Sequence, residues 1–216
     1  MELLRDTFDL FLHLDRYLGP LLAEHGRWVH LILIVVVFCE TGLVVTPFLP
    51  GDSLLFAAGA LAATGGLSLP LLLVGLSLAA IAGDSVNYRI GATVGTGVFR
   101  PDRRILKREY LTRTEEFYAR HGAKTIVLAR FVPIVRTIAP FLAGTGTMEY
   151  RRFLLYNVAG GVAWVCIMTI GGYVFGNVPF VKRNFGLVTI AIILLSMLPL
   201  ATELLKARRA RRTQSA

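Results

Sequence analysis

Charge is scarce in this 216-residue chain: Asp, Glu, Lys and Arg make up 17% of it, against about 25% in a soluble domain. Hydrophobic residues reach 55%, and several apolar runs approach the ~20 residues that cross a bilayer core. Together these exclude an ordinary soluble globule and predict an integral membrane protein. Acid is scarcer than base, 14 residues against 23, for a net charge of +9. The excess gathers between Arg100 and Lys124 and from Lys206 to Arg212, where it reads as cytoplasmic anchoring to anionic lipid. No recognition motif accompanies it, so nucleic acid is not an expected partner. The two cysteines, Cys39 and Cys166, lie in separate apolar stretches and read as small buried hydrophobes, with no disulfide framework or metal-ligand spacing. No signal peptide is expected, because Glu2, Arg5, Asp6 and Asp9 interrupt any apolar leader. No cofactor is implied.

What remains is a series of apolar segments. Residues 2–24 mix Leu3, Phe8, Phe11 and Leu18 with Asp6, Asp9, Asp15 and Arg16, a pattern that predicts an amphipathic interfacial helix. An apolar run from Trp28 to Val45 carries one carboxylate, Glu40, and ends at a segment holding Pro47, Pro50, Gly51 and Asp52, which no regular helix runs through. A short apolar stretch to Ala63 follows, then a long one over 69–95 that carries Asp84, Asn87 and Tyr88. The basic segment 100–124 reads as cytoplasmic. Residues 125–147 form a second broken segment, punctuated by Pro133 and Pro140 and carrying Arg130 and Arg136. Residues 152–176 predict a span with Gly160-Gly161 suited to close packing, 185–205 a last span, and 206–216 a basic tail. Placing both basic regions on one side requires 125–147 to re-enter and leave on the same face; Lys182 and Arg183 weigh mildly against that.

The chain also matches itself. Phe56, Ala58 and Gly59 align with Phe141, Ala143 and Gly144; Gly75 aligns with Gly160, and Tyr88 and Gly91 with Tyr173 and Gly176, each pair 85 positions apart. Chance matching of common membrane residues is one explanation. The other is an inverted repeat, 28–95 and 125–176, of broken hairpins plus spanning helices, an arrangement that places a substrate site where discontinuous helices meet. The expected fold is thus one all-α membrane domain, 1–216, with two re-entrant hairpins, spanning helices and an N-terminal amphipathic helix.

Glu40, Asp52, Arg130 and Arg136 lie in or beside the broken segments. A charge at the bilayer centre costs roughly 2.5–3.5 kcal/mol on insertion scales, so four require partners or water. Snorkelling suits the long arginines but not the short carboxylates. Arg130 and Arg136 form a candidate multi-donor cradle for a phosphate, and Glu40 and Asp52 are candidate proton carriers, since a nearby cation lowers and desolvation raises a carboxyl pKa. Static ion pairs between hairpins are the structural alternative. Asp84, Asn87 and Tyr88 are additional candidates for the site or for interhelical contacts. The histidines, His13, His25, His30 and His121, fall outside the broken segments and look interfacial.

These residues carry a resemblance. Phe38, Glu40 and Gly42 followed by Pro47, Pro50, Gly51 and Asp52 resemble the first signature of the DedA family. Gly83, Asp84, Asn87, Tyr88 and Gly91 resemble its second, and Arg130, Phe131, Pro133, Arg136, Pro140, Ala143 and Gly144 its third; Asn157, Trp164, Gly172, Tyr173 and Gly176 complete the pattern. The resemblance implies a multi-pass protein of the bacterial inner membrane, related to lipid scramblases of the eukaryotic VTT group. It further implies a lipid-phosphate transporter or flippase, proton-coupled and carrying undecaprenyl phosphate, with Glu40, Asp52, Arg130 and Arg136 as the functional charges. Its partners would be the lipid phosphate (undecaprenyl phosphate or a phospholipid), protons and membrane lipids; self-association stays open. A scramblase and a proton-coupled small-ion exporter are the alternatives. An enzyme is not expected, because no histidine nucleophile lies in the broken segments.

Overall fold

The computed structural model describes residues 14–43, 51–98, 108–179 and 181, and among them every regular element is helical. In order these are α1 (Leu14–Gly42), α2 (Gly51–Ala63), α3 (Leu69–Val94), α4 (Arg108–His121), α5 (Thr125–Ala129), α6 (Pro133–Leu142) and α7 (Tyr150–Gly176), with a π turn over Ala143–Thr147 after α6. The expected span at 185–205, the tail, the Pro47–Pro50 break and residues 2–13 lie outside the described residues.

Helices α3 and α7 are long and apolar enough to cross a membrane; at 1.5 Å per residue each extends about 40 Å. On both, large apolar side chains point outward in helical register. Val74 and Leu78 on α3 are 61% and 62% exposed, and Leu155, Val158 and Val162 on α7 repeat the pattern. Such a face inverts the arrangement of a soluble helix. Helix α2, with 13 residues, extends only about 20 Å and cannot cross alone.

The expected boundary near residue 24 is absent. Helix α1 runs from Leu14 through Pro20 and Gly26 to Gly42. One hydrogen bond lost at a proline costs less than two new helix ends, each of which exposes four backbone groups. The second broken segment parts where its proline dictates. Val132, just before Pro133, is extended at φ −120°, ψ 103°, because a proline disfavours helical geometry in the residue preceding it. Pro140, by contrast, lies inside α6; there it removes only a donor for the Arg136 carbonyl, and packing on both sides holds the helix.

The chain divides into two compact units. The first comprises 1–26, 50–68 and 168–216. In it α2 crosses the end of α7 at glycines: a Cβ on Gly59 would collide with the Thr169 carbonyl, and one on Gly172 with the Phe56 carbonyl. Phe56 and Phe175 close the crossing with ring centroids 5.4 Å apart. The second unit comprises 27–49 and 69–167. Here α6 and its π turn cross the end of α3, again on glycine. A Cβ on Gly91 would strike the Phe141 carbonyl, and one on Gly144 the Tyr88 carbonyl. The core of this unit gathers Ile126, Ala129, Val135, Ala139 and Phe153. Helix α4 lies against α6 through Leu111, Ile138, Phe141 and Leu142, and the Tyr118 hydroxyl donates to the Ala139 carbonyl at 2.9 Å. Burial pushes the Tyr118 phenol pKa upward, with Asp84 and Tyr88 adding to the shift, so it keeps its proton and remains a donor.

Candidate functional site

Three elements of the second unit bring charge together. Glu40 lies near the end of α1, Asp84 midway along α3, and the arginines flank Pro133, Arg130 in the break and Arg136 in the first turn of α6. Arg136 donates from Nη2 to Glu40 Oε1. Arg130 donates from the same position to Asp84 Oδ2 at 2.5 Å and to Asn157 Oδ1 at 2.6 Å. Both guanidinium carbons lie over the Trp164 ring, 5.8 Å from its centroid for Arg130 and 5.5 Å for Arg136, within cation–π range. Trp164 is fully buried.

Small residues make the room. A Cβ on Gly160 would come within 3.2 Å of Arg130 Nε, and one on Gly161 within 3.3 Å of its Nη2. The Gly160-Gly161 pair thus lets a guanidinium lie against α7, beyond its expected part in helix packing. On the opposite side, α1 approaches α3 at Gly42 and Gly83, where a Cβ on Gly42 would lie 3.4 Å from the Gly83 Cα.

The asparagines brace this arrangement. The Asn157 amide group donates to the Ile81 carbonyl at 3.0 Å, which fixes the oxygen that Arg130 uses. The Asn87 amide group donates to the carbonyls of Thr41 and Thr137 at 3.2 and 2.9 Å, and each carbonyl belongs to the residue following a member of the Glu40–Arg136 pair. Tyr88 works elsewhere: its hydroxyl donates to the Met148 carbonyl at 2.7 Å and its ring packs on Phe153. It is a packing residue in this structure.

A cavity of about 20 Å³ lies among Glu40, Asp84, Arg130, Arg136, Thr137 and Trp164, room for roughly one water. Two polar atoms of its lining residues, Glu40 Oε2 and Arg130 Nε, are buried without a hydrogen-bond partner. The four charges sum to zero. Desolvating an ion costs several kcal/mol, and only close pairing offsets it; each ion here has its counter-ion. Each carboxylate accepts from an Nη2 donor of its arginine.

Residues 49–174 match the VTT domain family. The chain is 52% identical over 213 residues, 97% of both chains, to Protein DedA of Escherichia coli. The chain belongs to the DedA family. An uncharacterized membrane protein of Mycobacterium tuberculosis is 42% identical over 83% of this chain and 80% of its own length. The inner membrane protein YqjA of E. coli is 34% identical over 76% of each chain. No solved structure matches. Membership of the DedA family, with relatives named as membrane proteins, makes this a membrane protein, and the outward apolar faces of α3 and α7 are of a kind suited to lipid.

The structure thus unites Glu40, Arg130 and Arg136 with Asp84, which sequence reasoning ranked below them. Asp52 belongs to the first unit, in the first turn of α2, where a carboxylate is favoured by the helix dipole. Sequence reasoning gave no role to Asn157 or Trp164. Their signal was present, an amide and an indole inside an otherwise apolar span. His30, expected at the interface, is buried in α1.

Proposed function

We propose that this protein carries a lipid phosphate headgroup across the bacterial inner membrane, with undecaprenyl phosphate as the lipid and proton movement through Glu40 and Asp52 giving direction. The observation that carries the proposal is the pair of arginines at one buried cavity, both against Trp164 and each donating to a carboxylate. Carboxylate and phosphate compete for the same planar donors, so ligand entry and carboxylate release are coupled. The headgroup would cross at the arginines while the tail stays in lipid along the apolar faces.

An inverted repeat fits this reading. Gly59 and Gly144, 85 positions apart, each seat a short helix on a long one within their own units. On this reading the short segment of one repeat packs on the spanning helix of the other. The role on this reading is that of a carrier and not of an enzyme.

The test is translocation of undecaprenyl phosphate in proteoliposomes with and without an imposed pH gradient. Gradient-stimulated movement that is lost in Arg130→Ala, and reduced in Arg136→Lys, which keeps charge but loses the two-pronged donor, is the expected result. Equal movement without a gradient, unaffected by either substitution, would leave a scramblase and sink the coupled carrier.

A further inference from the structure

We propose that α2 slides by one helical turn along α7, between two registers that α7 provides, while α6 is held in a single register on α3. The inference rests on the inverted repeat and the carrier reading, and it names the element that moves.

The two glycine crossings are alike in residues and unlike in register. In the second unit Gly144 meets the Tyr88 carbonyl, and the Phe141 carbonyl meets Gly91. The residues 85 positions away are Gly59 with Tyr173, and Phe56 with Gly176. In the first unit, however, Gly59 meets the carbonyl of Thr169, and the Phe56 carbonyl meets Gly172. Each contact falls four positions before its counterpart, Tyr173 or Gly176. Both are displaced by the same amount, roughly 6 Å at 1.5 Å per residue, so α2 sits one turn back along α7.

Sterics decide which crossing can change. At these points a carbonyl rests on an α-carbon: a Cβ on Gly172 would lie 2.0 Å from the Phe56 oxygen. Moving α2 forward by a turn brings the Phe56 carbonyl over Gly176 and Gly59 under the Tyr173 carbonyl. Those are the residue pairs that α6 already makes on α3. Moving α6 back by a turn would bring the Phe141 carbonyl onto Asn87, which has a side chain, and that side chain is tied to the carbonyls of Thr41 and Thr137. Helix α7 therefore has glycine at both seats, and α3 at one.

The rest of α2 permits the slide. Its surface is small, with Ala57, Ala58, Ala60, Ala62 and Ala63 around Gly59, and such surfaces approach closely without interlocking. Beyond Ala63 the chain turns through Gly65, at φ 83°. The present register also leaves Thr169 Oγ1 buried without a partner, a penalty that works against it. A jump of one element past another by a single turn is an established form of two-state switching. Asp52 lies in the first turn of α2 and travels with it, so on the carrier reading the slide moves a proton-carrying group along α7.

The test uses the full chain with Cys39→Ser and Cys166→Ser, reconstituted in vesicles, with Phe56→Cys and Phe175→Cys added. The two native rings lie 5.4 Å apart, so a short, reducible bifunctional thiol reagent joins these sites in the present register. Gly172→Asn is the decisive variant. It excludes that register and fits the shifted one, where residue 172 faces the Asp52 carbonyl as Asn87 faces that of Thr137. It should stay folded and lose the cross-link. Gly91→Asn, with no second register to occupy, should lower the thermal unfolding midpoint far more. A folded Gly172→Asn protein that still cross-links overturns the inference, as does one that unfolds as readily as Gly91→Asn. With Gly172 in place, closing the cross-link should stop undecaprenyl phosphate translocation, and cleaving it should restore translocation; movement that continues through the closed link overturns the slide. If the unmodified protein moves no lipid phosphate, the carrier reading falls, and the cross-link contrast between the glycine and asparagine proteins still decides the register change.

Discussion

Arg130 and Arg136 are six positions apart and share one tryptophan, yet they are held in different ways. Arg130 is fixed through side chains: Asp84 and Asn157 both accept from it, Asn157 is tied to α3, and two glycines press α7 against the guanidinium. The Glu40–Arg136 pair is fixed through the backbone, by Asn87 bridging the carbonyls of Thr41 and Thr137, and the Arg136 side chain is three times as exposed, 15% against 5%. The Arg130 pair is the more enclosed of the two; if the proposed carrier function holds, the Arg136 pair should be the first to open.

The largest test of that contrast is Arg130→Ala. It leaves Asp84 buried without its cation and should lower stability by about 3–5 kcal/mol, measured by denaturant unfolding in detergent, with translocation abolished. Arg136→Ala should lose translocation with a smaller stability penalty; equal penalties would break the distinction. Arg130→Gln combined with Asp84→Asn should recover most of the stability and none of the transport, which separates scaffold from chemistry.

Asn157→Ala should come next, at about 1.5–3 kcal/mol for a hydrogen bond to a charged group, and should weaken lipid phosphate binding. Asn87→Ala should cost less, about 1 kcal/mol: two donor bonds disappear, but so does Asn87 Oδ1, a buried acceptor without a partner. A larger loss for Asn87 than for Asn157 in the same unfolding assay would reverse the order of the two pairs.

Tyr118→Phe should have the smallest effect, about 0.5–1 kcal/mol, since the Ala139 carbonyl retains the Ala143 N–H. Its mark should be a pH dependence. The folded-state phenol pKa is raised above the unfolded value of about 10, so its contribution is complete below that value. It is lost as pH rises further, because only the unfolded chain then releases the proton. The Phe variant should lack this alkaline decline, read from unfolding midpoints across the alkaline range.

The distribution of charge, the break at Pro133 and the two long apolar helices were legible in the sequence because each is a local property: a proline constrains its predecessor wherever it occurs. Pairing was not. Glu40 meets Arg136 across 96 positions and Asp84 meets Arg130 across 46, and composition says only that buried charges need partners. Asp84 sat inside a regular span and looked like an interhelical contact. The glycines were visible as small residues, but that Gly160 and Gly161 accommodate a guanidinium depends on a neighbour supplied 30 positions earlier by the break. Pro140 misled in the other direction, since packing by α3 and α4 keeps α6 helical through it.

Trp164 also gives the site a means of observation. The chain has two tryptophans, and their surroundings are opposite: Trp28 is 63% exposed and Trp164 1%. A Trp28→Phe variant therefore leaves a single indole emitter lying against both guanidinium groups. The energy of its excited state depends on the cations at its ring, so displacement of either guanidinium should change its emission. The proposed binding at the arginines should thus be visible in real time, without a label.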